Sequence, residues 1–169
     1  MPRTLVHKGR KIQVYDDVEP GADGRPMHRD LVVHPGAAAI LPVVDRDHIC
    51  LLHNPRFVVN ETLWEIPAGT LEPGEPPEHA AVRELEEETG YQAKRWRKLA
   101  EFYPSPGVLS ERTHLFVAEE LTPGPMRPEA DEQMTPHVVA WSQAMAWTLD
   151  GTIRDAKTLT ALLLWDRLR

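Results

Sequence analysis

The chain has 169 residues, a net charge of −7 and 41% hydrophobic residues, which predicts one soluble folded unit with an ample core. The acidic balance argues against a nucleic-acid partner, whose phosphates would be repelled rather than neutralised. One cysteine, Cys50, excludes an internal disulfide framework, and its apolar setting in residues 49–52 favours packing over thiol chemistry. No apolar run is long enough to span a membrane and residues 1–10 lack a signal-peptide core, so no membrane partner and a cytoplasmic location are expected.

In chain order, residues 11–18 and 30–34 read as two strands around the turn-rich segment 21–26, an antiparallel pair within an N-terminal unit of residues 1–34. Residues 37–44 and 49–53 read as a second strand pair turning at 45–47, and residues 63–66 as a short strand. A helix of about 12 residues follows, opened by Pro76 and Pro77 and stopped by Gly90. Strands are expected at 97–103 and 113–119, then a Pro/Gly/Glu-rich loop at 122–136, a strand at 137–141, and helices at 142–149 and 155–168 separated by Gly151. Leu159, Leu162, Leu163 and Trp165 give the last helix a wide apolar face. The order predicts an α/β sandwich, a mixed sheet flanked by helices over residues 35–169, with the N-terminal strand pair attached.

The helix before Gly90 carries Glu84, Glu87 and Glu88 at i, i+3 and i+4, so three carboxylates share one face. As structure alone this is unfavourable: like charges at that spacing repel by a few tenths of a kcal/mol, and residues 86–88 crowd the negative end of the helix dipole. A divalent cation relieves the repulsion, and an oxygen-rich cluster suits Mg2+ or Mn2+. A local rule broken in one place points to function.

Residues 69–91, GTLEPGEPPEHAAVRELEEETGY, match position by position the pattern G-x5-E-x7-R-E-U-x-E-E-x-G-U, where U is bulky and apolar. Gly69, Glu75, Arg83, Glu84, Leu85, Glu87, Glu88 and Gly90 occupy the fixed positions, and Tyr91 fills the last U with an aromatic ring. On this window the chain is identified as resembling the Nudix hydrolases. Flanking segments narrow the resemblance to the ADP-ribose pyrophosphatases: Trp64-Glu65-Ile66-Pro67-Ala68-Gly69 is similar to their L-E-[IL]-P-A-G segment, and Ser105-Pro106-Gly107 with Glu111 to their S-P-G-x-x-x-E element. Pro106 lies sixteen residues past Gly90, the spacing of that subfamily. Val33-His34-Pro35-Gly36-Ala37 is similar to the strand that opens its catalytic domain. One segment departs: where the subfamily carries Arg-Gln-Tyr-Arg, this chain has His53-Asn54-Pro55-Arg56, keeping only the last arginine.

The resemblance implies the Nudix fold and Mg2+-dependent hydrolysis of ADP-ribose to AMP and ribose 5-phosphate, with another nucleoside diphosphate sugar as the alternative substrate. It places two or three divalent ions (Mg2+, with Mn2+ able to substitute) on Glu84 and Glu88, assisted by the Ala68 carbonyl and Glu87. It gives Arg83 the task of orienting the glutamates and Glu75 that of supporting the loop. A late-loop carboxylate completes such sites as ligand or general base; Glu132 is the first candidate, with Glu129 and Glu111 behind it. Arg56, a natural fork for diphosphate oxygens, is the expected substrate contact, together with Glu65, Pro106 and Glu111. The resemblance also implies a homodimer in which the N-terminal strands cross the two-fold interface, since a strand pair cannot bury its own face.

Other chemistries find no support. There is no Cys pair or His-Glu-x-x-His spacing for zinc and no Gly-x-Ser-x-Gly elbow for a serine hydrolase. Residues 94–98, KRWRK, interleave basic and aromatic side chains but stand alone in an acidic chain, as in a solvated edge strand. A catalytically silent ligand sensor would be expected to lose the glutamates that this chain keeps.

Overall fold

The computed structural model describes residues 3–127 and 133–169. Its strands are β1 (Arg3–Lys8), β2 (Gln13–Pro20), β3 (Pro26–Val33), β4 (Ala37–Pro42), β5 (His48–Arg56), β6 (Glu61–Glu65), β7 (Ala68–Thr70), β8 (Tyr91–Phe102), β9 (Thr113–Pro123) and β10 (Thr135–Ala140). Helices α1 (Pro77–Thr89), α2 (Trp141–Asp150) and α3 (Ala156–Asp166) complete it. Three sheets form, in the orders β1-β2-β3, β10-β5-β6 and β7-β4-β9-β8. The last is mixed: β4 runs parallel to β9 and antiparallel to β7.

Strand β4, AAAILP, is buried at every position because the sheet is covered on both faces. Ala38 and Ile40 point to one side, where they cluster with Phe116, Ala118 and α1's Ala80, Ala81 and Leu85. Ala39 and Leu41 point to the other, into the larger core with Leu51, Ile66, Leu115, Val117, Ala161, Leu162 and Trp165. Trp64 of β6 stacks on Trp147 of α2 with ring centroids 4.9 Å apart, closing that second layer. The mixed sheet and flanking helices therefore form as the order of elements predicts. No helix among the described residues is long and apolar enough to cross a membrane.

Three readings need correction. The expected pairing of residues 37–44 with 49–53 does not form: a single bridge, Val43↔Ile49, joins them, after which β4 and β5 lie in different sheets. Pro42 has no N–H to extend a ladder, and a strand apolar on both faces is needed between two helical layers rather than in a hairpin. The N-terminal pair is a three-stranded sheet, because β1 joins β2 with Leu5 opposite Tyr15. All six β1 residues are exposed, so no alternation marked it. Finally, β8 starts at Tyr91, immediately after the helix stop, and carries residues 94–98 along the edge of the four-stranded sheet.

Backbone and side-chain hydrogen bonds tie the end of β3 to the loop after β8. Val32 N–H donates to Val108 O (2.8 Å), Ser110 N–H donates to Val32 O (2.9 Å), and His34 N–H donates to Ser110 Oγ (3.0 Å). The loop carrying Pro106 is thereby fixed between the two units.

Candidate active site

Helix α1 begins at Pro77, behind an extended Pro76, and ends at Gly90, which takes the left-handed conformation (φ 72°) and donates its N–H to Glu86 O at 2.9 Å. Ala80, Ala81 and Leu85 bury one stripe of the helix. Beside that stripe, Glu84 and Glu88 are also buried, at 6% and 3% exposure, which for carboxylates demands strong partners. Both face β7. Ala68 N–H donates to Glu88 Oε2 at 2.9 Å, and a Cβ at Gly69 would lie 1.8 Å from Glu84 Oε1. Only glycine lets the β7 backbone come this close to the carboxylate.

Arg83 binds the acidic residues into one network. Its Nε and Nη2 donate to the two oxygens of Glu75 at 3.0 Å each, a two-pronged fork. Nη1 donates to Glu84 Oε1 (2.6 Å) and Glu87 Oε2 (3.0 Å), and Nη2 reaches Thr70 O at 3.4 Å. Glu75 in turn accepts from Glu72 N–H at 2.9 Å, closing the loop ahead of the helix. The Arg83 hydrogen bonds hold the Glu75 carboxyl below its ordinary value, and the Glu75 pairing raises Arg83. One guanidinium thus serves three carboxylates, with a fourth on the next turn.

A second charged cluster lies at Arg56, the last residue of β5. Its Nε and Nη2 donate to Glu65 Oε1 and Oε2 at 2.8 and 2.6 Å. Glu65 is 2% exposed, whereas the Arg56 side chain is 43% exposed. Lys157 Nζ lies 3.6 Å from Glu65 Oε2 and donates to Asp155 Oδ1 at 2.6 Å. Asp155 caps α3 by accepting from Thr158 N–H (2.9 Å) and Thr158 Oγ1 (2.7 Å). The Glu65 hydrogen bonds raise the Arg56 pKa, to which Glu88 of α1 and Asp155 also contribute through space. Lys157 and Asp155 were not singled out by sequence reasoning. An aspartate three residues before a threonine at a helix start is a capping signal that marks Asp155, but nothing local marks Lys157.

The structure brings Glu75, Arg83, Glu84, Glu87, Glu88, Ala68 and Gly69 together, and Arg56, paired with Glu65, interacts through space with Glu88. Pro106 and Glu111 lie on the other loop. Pro106 lines a separate cavity of about 380 Å3 with Leu31, Tyr103, Val108 and Arg112. Glu111 accepts from Thr113 Oγ1 at 3.1 Å. Glu129 and Glu132 lie outside the described residues, although the chain on the near side is fixed to the helix by Arg127 N–H donating to Glu87 O at 3.0 Å. Among the described residues no three acidic, histidine or cysteine side chains converge as a preformed metal cluster. The donors on offer are carboxylate oxygens buried against a glycine, which fit a hard divalent cation better than zinc.

Comparison with known proteins shows the family of the chain. The NUDIX domain model matches residues 33–162, starting at the last residue of β3. An ADP-ribose pyrophosphatase of Bacillus subtilis is 42% identical over 160 residues, covering 93% of this chain and 86% of its own. A methanol dehydrogenase activator of Bacillus methanolicus is 36% identical with the same coverages. An ADP-ribose pyrophosphatase of Mycobacterium tuberculosis is 32% identical, covering 94% of this chain and 78% of its own. In fold, the chain resembles the crystal structure of an ADP compounds hydrolase with a TM-score of 0.86 at 23% identity, covering 99% of this chain and 91% of that one. The chain belongs to the Nudix family.

Proposed function

We propose that this protein hydrolyses the diphosphate linkage of ADP-ribose, giving AMP and ribose 5-phosphate, with Mg2+ or Mn2+ as cofactor. The observation that carries the reading is the pair of buried carboxylates facing β7: Glu84, packed against Gly69 and bonded to Arg83, and Glu88, accepting from the Ala68 N–H. The names of the B. subtilis and M. tuberculosis relatives support the substrate.

Glu84 and Glu88 would hold the cation, with the Ala68 carbonyl and Glu87 as further oxygen donors. When bound, the cation neutralises the diphosphate and acidifies a coordinated water. Arg83 fixes the glutamate rotamers, and Glu75 fixes Arg83. Arg56 offers Nη1, uncommitted among the described residues, to a diphosphate oxygen. Glu65 holds Arg56 in place. Glu132 is the first candidate for the base that takes the water proton, followed by Glu129 and Glu111. Pro106 and Glu111 would wall the terminal ribose.

The protein acts as a homodimer in this reading. The N-terminal sheet leaves β1 as a free edge with exposed Leu5 and Val6, a surface that a second copy would cover. Light scattering at micromolar concentration tests this, and a fully active monomer overturns it.

The deciding experiment offers ADP-ribose, ADP-glucose, UDP-glucose and GDP-mannose with Mg2+ and counts the phosphate released by phosphatase from the products. The highest kcat/KM is expected for ADP-ribose. A preference for a hexose compound overturns the substrate, and no hydrolysis of any overturns the enzymatic reading.

A further inference from the structure

The buried Arg56–Glu65–Lys157–Asp155 cluster carries a consequence for substrate binding. A carboxylate as buried as Glu65 must be neutralised, and Arg56 alone could do so only by committing its charge to that one partner. Lys157 supplies a second cation, 3.6 Å from the same oxygen that Arg56 Nη2 grips. Two cations and two carboxylates balance, so Arg56 keeps charge to offer outward through its exposed edge. We propose that Lys157 is a positioning residue for diphosphate binding: from the first turn of α3 it holds Glu65, and through Glu65 sets how much of the Arg56 charge reaches the substrate. This rests on the reading of Arg56 as the diphosphate contact.

The geometry assigns opposite signs to the two α3 residues. Removing Lys157 leaves the cluster one negative charge in excess and draws Arg56 onto Glu65, so an anionic ligand is held less well. Removing the charge of Asp155 does the reverse: Lys157 turns fully to Glu65, and Arg56 is released toward the substrate. Asn at 155 keeps the cap, because its carbonyl oxygen can still accept from Thr158 N–H. A purely structural role would make both substitutions harmful, whereas a charge-setting role splits them.

The test compares Lys157→Met, Lys157→Arg and Asp155→Asn by steady-state kinetics with ADP-ribose, and by calorimetric titration of ADP-ribose in EDTA, where no turnover intervenes. Lys157→Met should raise both KM and the metal-free Kd about tenfold, on the scale of one charge at an effective dielectric of about 20, with kcat within about twofold. Lys157→Arg should restore the wild-type values, and Asp155→Asn should lower KM and Kd about threefold. Both shifts should vanish in an Arg56→Ala background, because the α3 residues act through that side chain. If Lys157→Met binds as wild type does, or if both substitutions weaken binding alike, the proposal is overturned. Should Lys157→Met fail to fold, the sign of the Asp155→Asn shift decides alone. If Arg56→Ala itself leaves KM unchanged, it is the Arg56 reading that fails.

Discussion

The two charged clusters of this protein are built on opposite principles. On α1 and the loop before it, one guanidinium, Arg83, faces Glu75, Glu84 and Glu87, while Glu88 accepts from the Ala68 N–H and interacts through space with Arg56. At the start of α3, Arg56 and Lys157 face Glu65 and Asp155 in equal number. The second cluster pairs its charges one for one. In the first, one guanidinium donates to three carboxylates and Glu84 and Glu88 are buried, a setting that a cation from solution would favour. The balanced cluster is therefore where a stability effect is expected, and the carboxylate-rich one where the proposed cation chemistry is expected.

The largest effect should come from removing charge where it is in excess. Glu88→Gln keeps an oxygen for the Ala68 N–H and nearly the same helix propensity, but deletes the charge of the proposed ligand. Activity should fall by orders of magnitude while the thermal midpoint of the metal-free protein holds or rises. Near-normal turnover of this variant in saturating Mg2+ would show that the ligands are assigned wrongly. The same imbalance predicts that Mg2+ stabilises the wild type, by about 2.7 kcal/mol at a hundred times its Kd, and that Glu88→Gln loses most of this gain in a thermal melt.

Next comes Gly69→Ala. Its Cβ would displace the Glu84 carboxylate, since 1.8 Å is far inside any contact distance. A displacement of about 1 Å in a catalytic group costs about a hundredfold in rate. We expect a loss of that order in kcat/KM with the fold retained by circular dichroism; unchanged kinetics would mean that the Glu84 position is immaterial.

In the balanced cluster, acid should reveal the cap. Burial by itself pushes the Asp155 carboxyl upward, but Lys157 and the Thr158 hydrogen bonds outweigh it, and the folded pKa lies below the ordinary 3.8. A depressed carboxylate contributes stability that is fully present above the unfolded value and lost as pH falls through the folded one. Wild-type stability should therefore drop below about pH 3.8, and Asp155→Asn should flatten that part of the denaturant-midpoint profile. An unchanged acid limb in the variant would place the titrating groups elsewhere.

The unbalanced cluster was the more legible in sequence for a physical reason. Its members sit within one helix and the loop before it, so spacing alone put Glu84 and Glu88 on one face and Gly90 at the stop. The balanced cluster joins β5, β6 and α3, with Lys157 lying 92 positions after Glu65 in the chain, and no local rule reaches that far. The same contrast holds for the fold. Helices and turns followed periodicity and capping, whereas β1 went unseen because it is exposed throughout, and β4 was given the wrong neighbour because a strand buried on both faces carries no record of its partner.

The smallest effect tests a region that belongs to neither cluster. Pro106 lies in the loop pinned between the N-terminal sheet and β9, where Val32 N–H donates to Val108 O. Its ring fixes one backbone angle and lowers the freedom of the unfolded loop, so Pro106→Ala should cost about 0.4–1 kcal/mol in stability. If that loop walls the terminal ribose, loosening it should narrow the preference for ADP-ribose over ADP-glucose more than it lowers the best rate, because the α1 carboxylates are untouched. The measurement is the ratio of the two kcat/KM values in wild type and variant. An unchanged ratio with a lowered stability would leave Pro106 as a loop stiffener and move sugar selection to another surface.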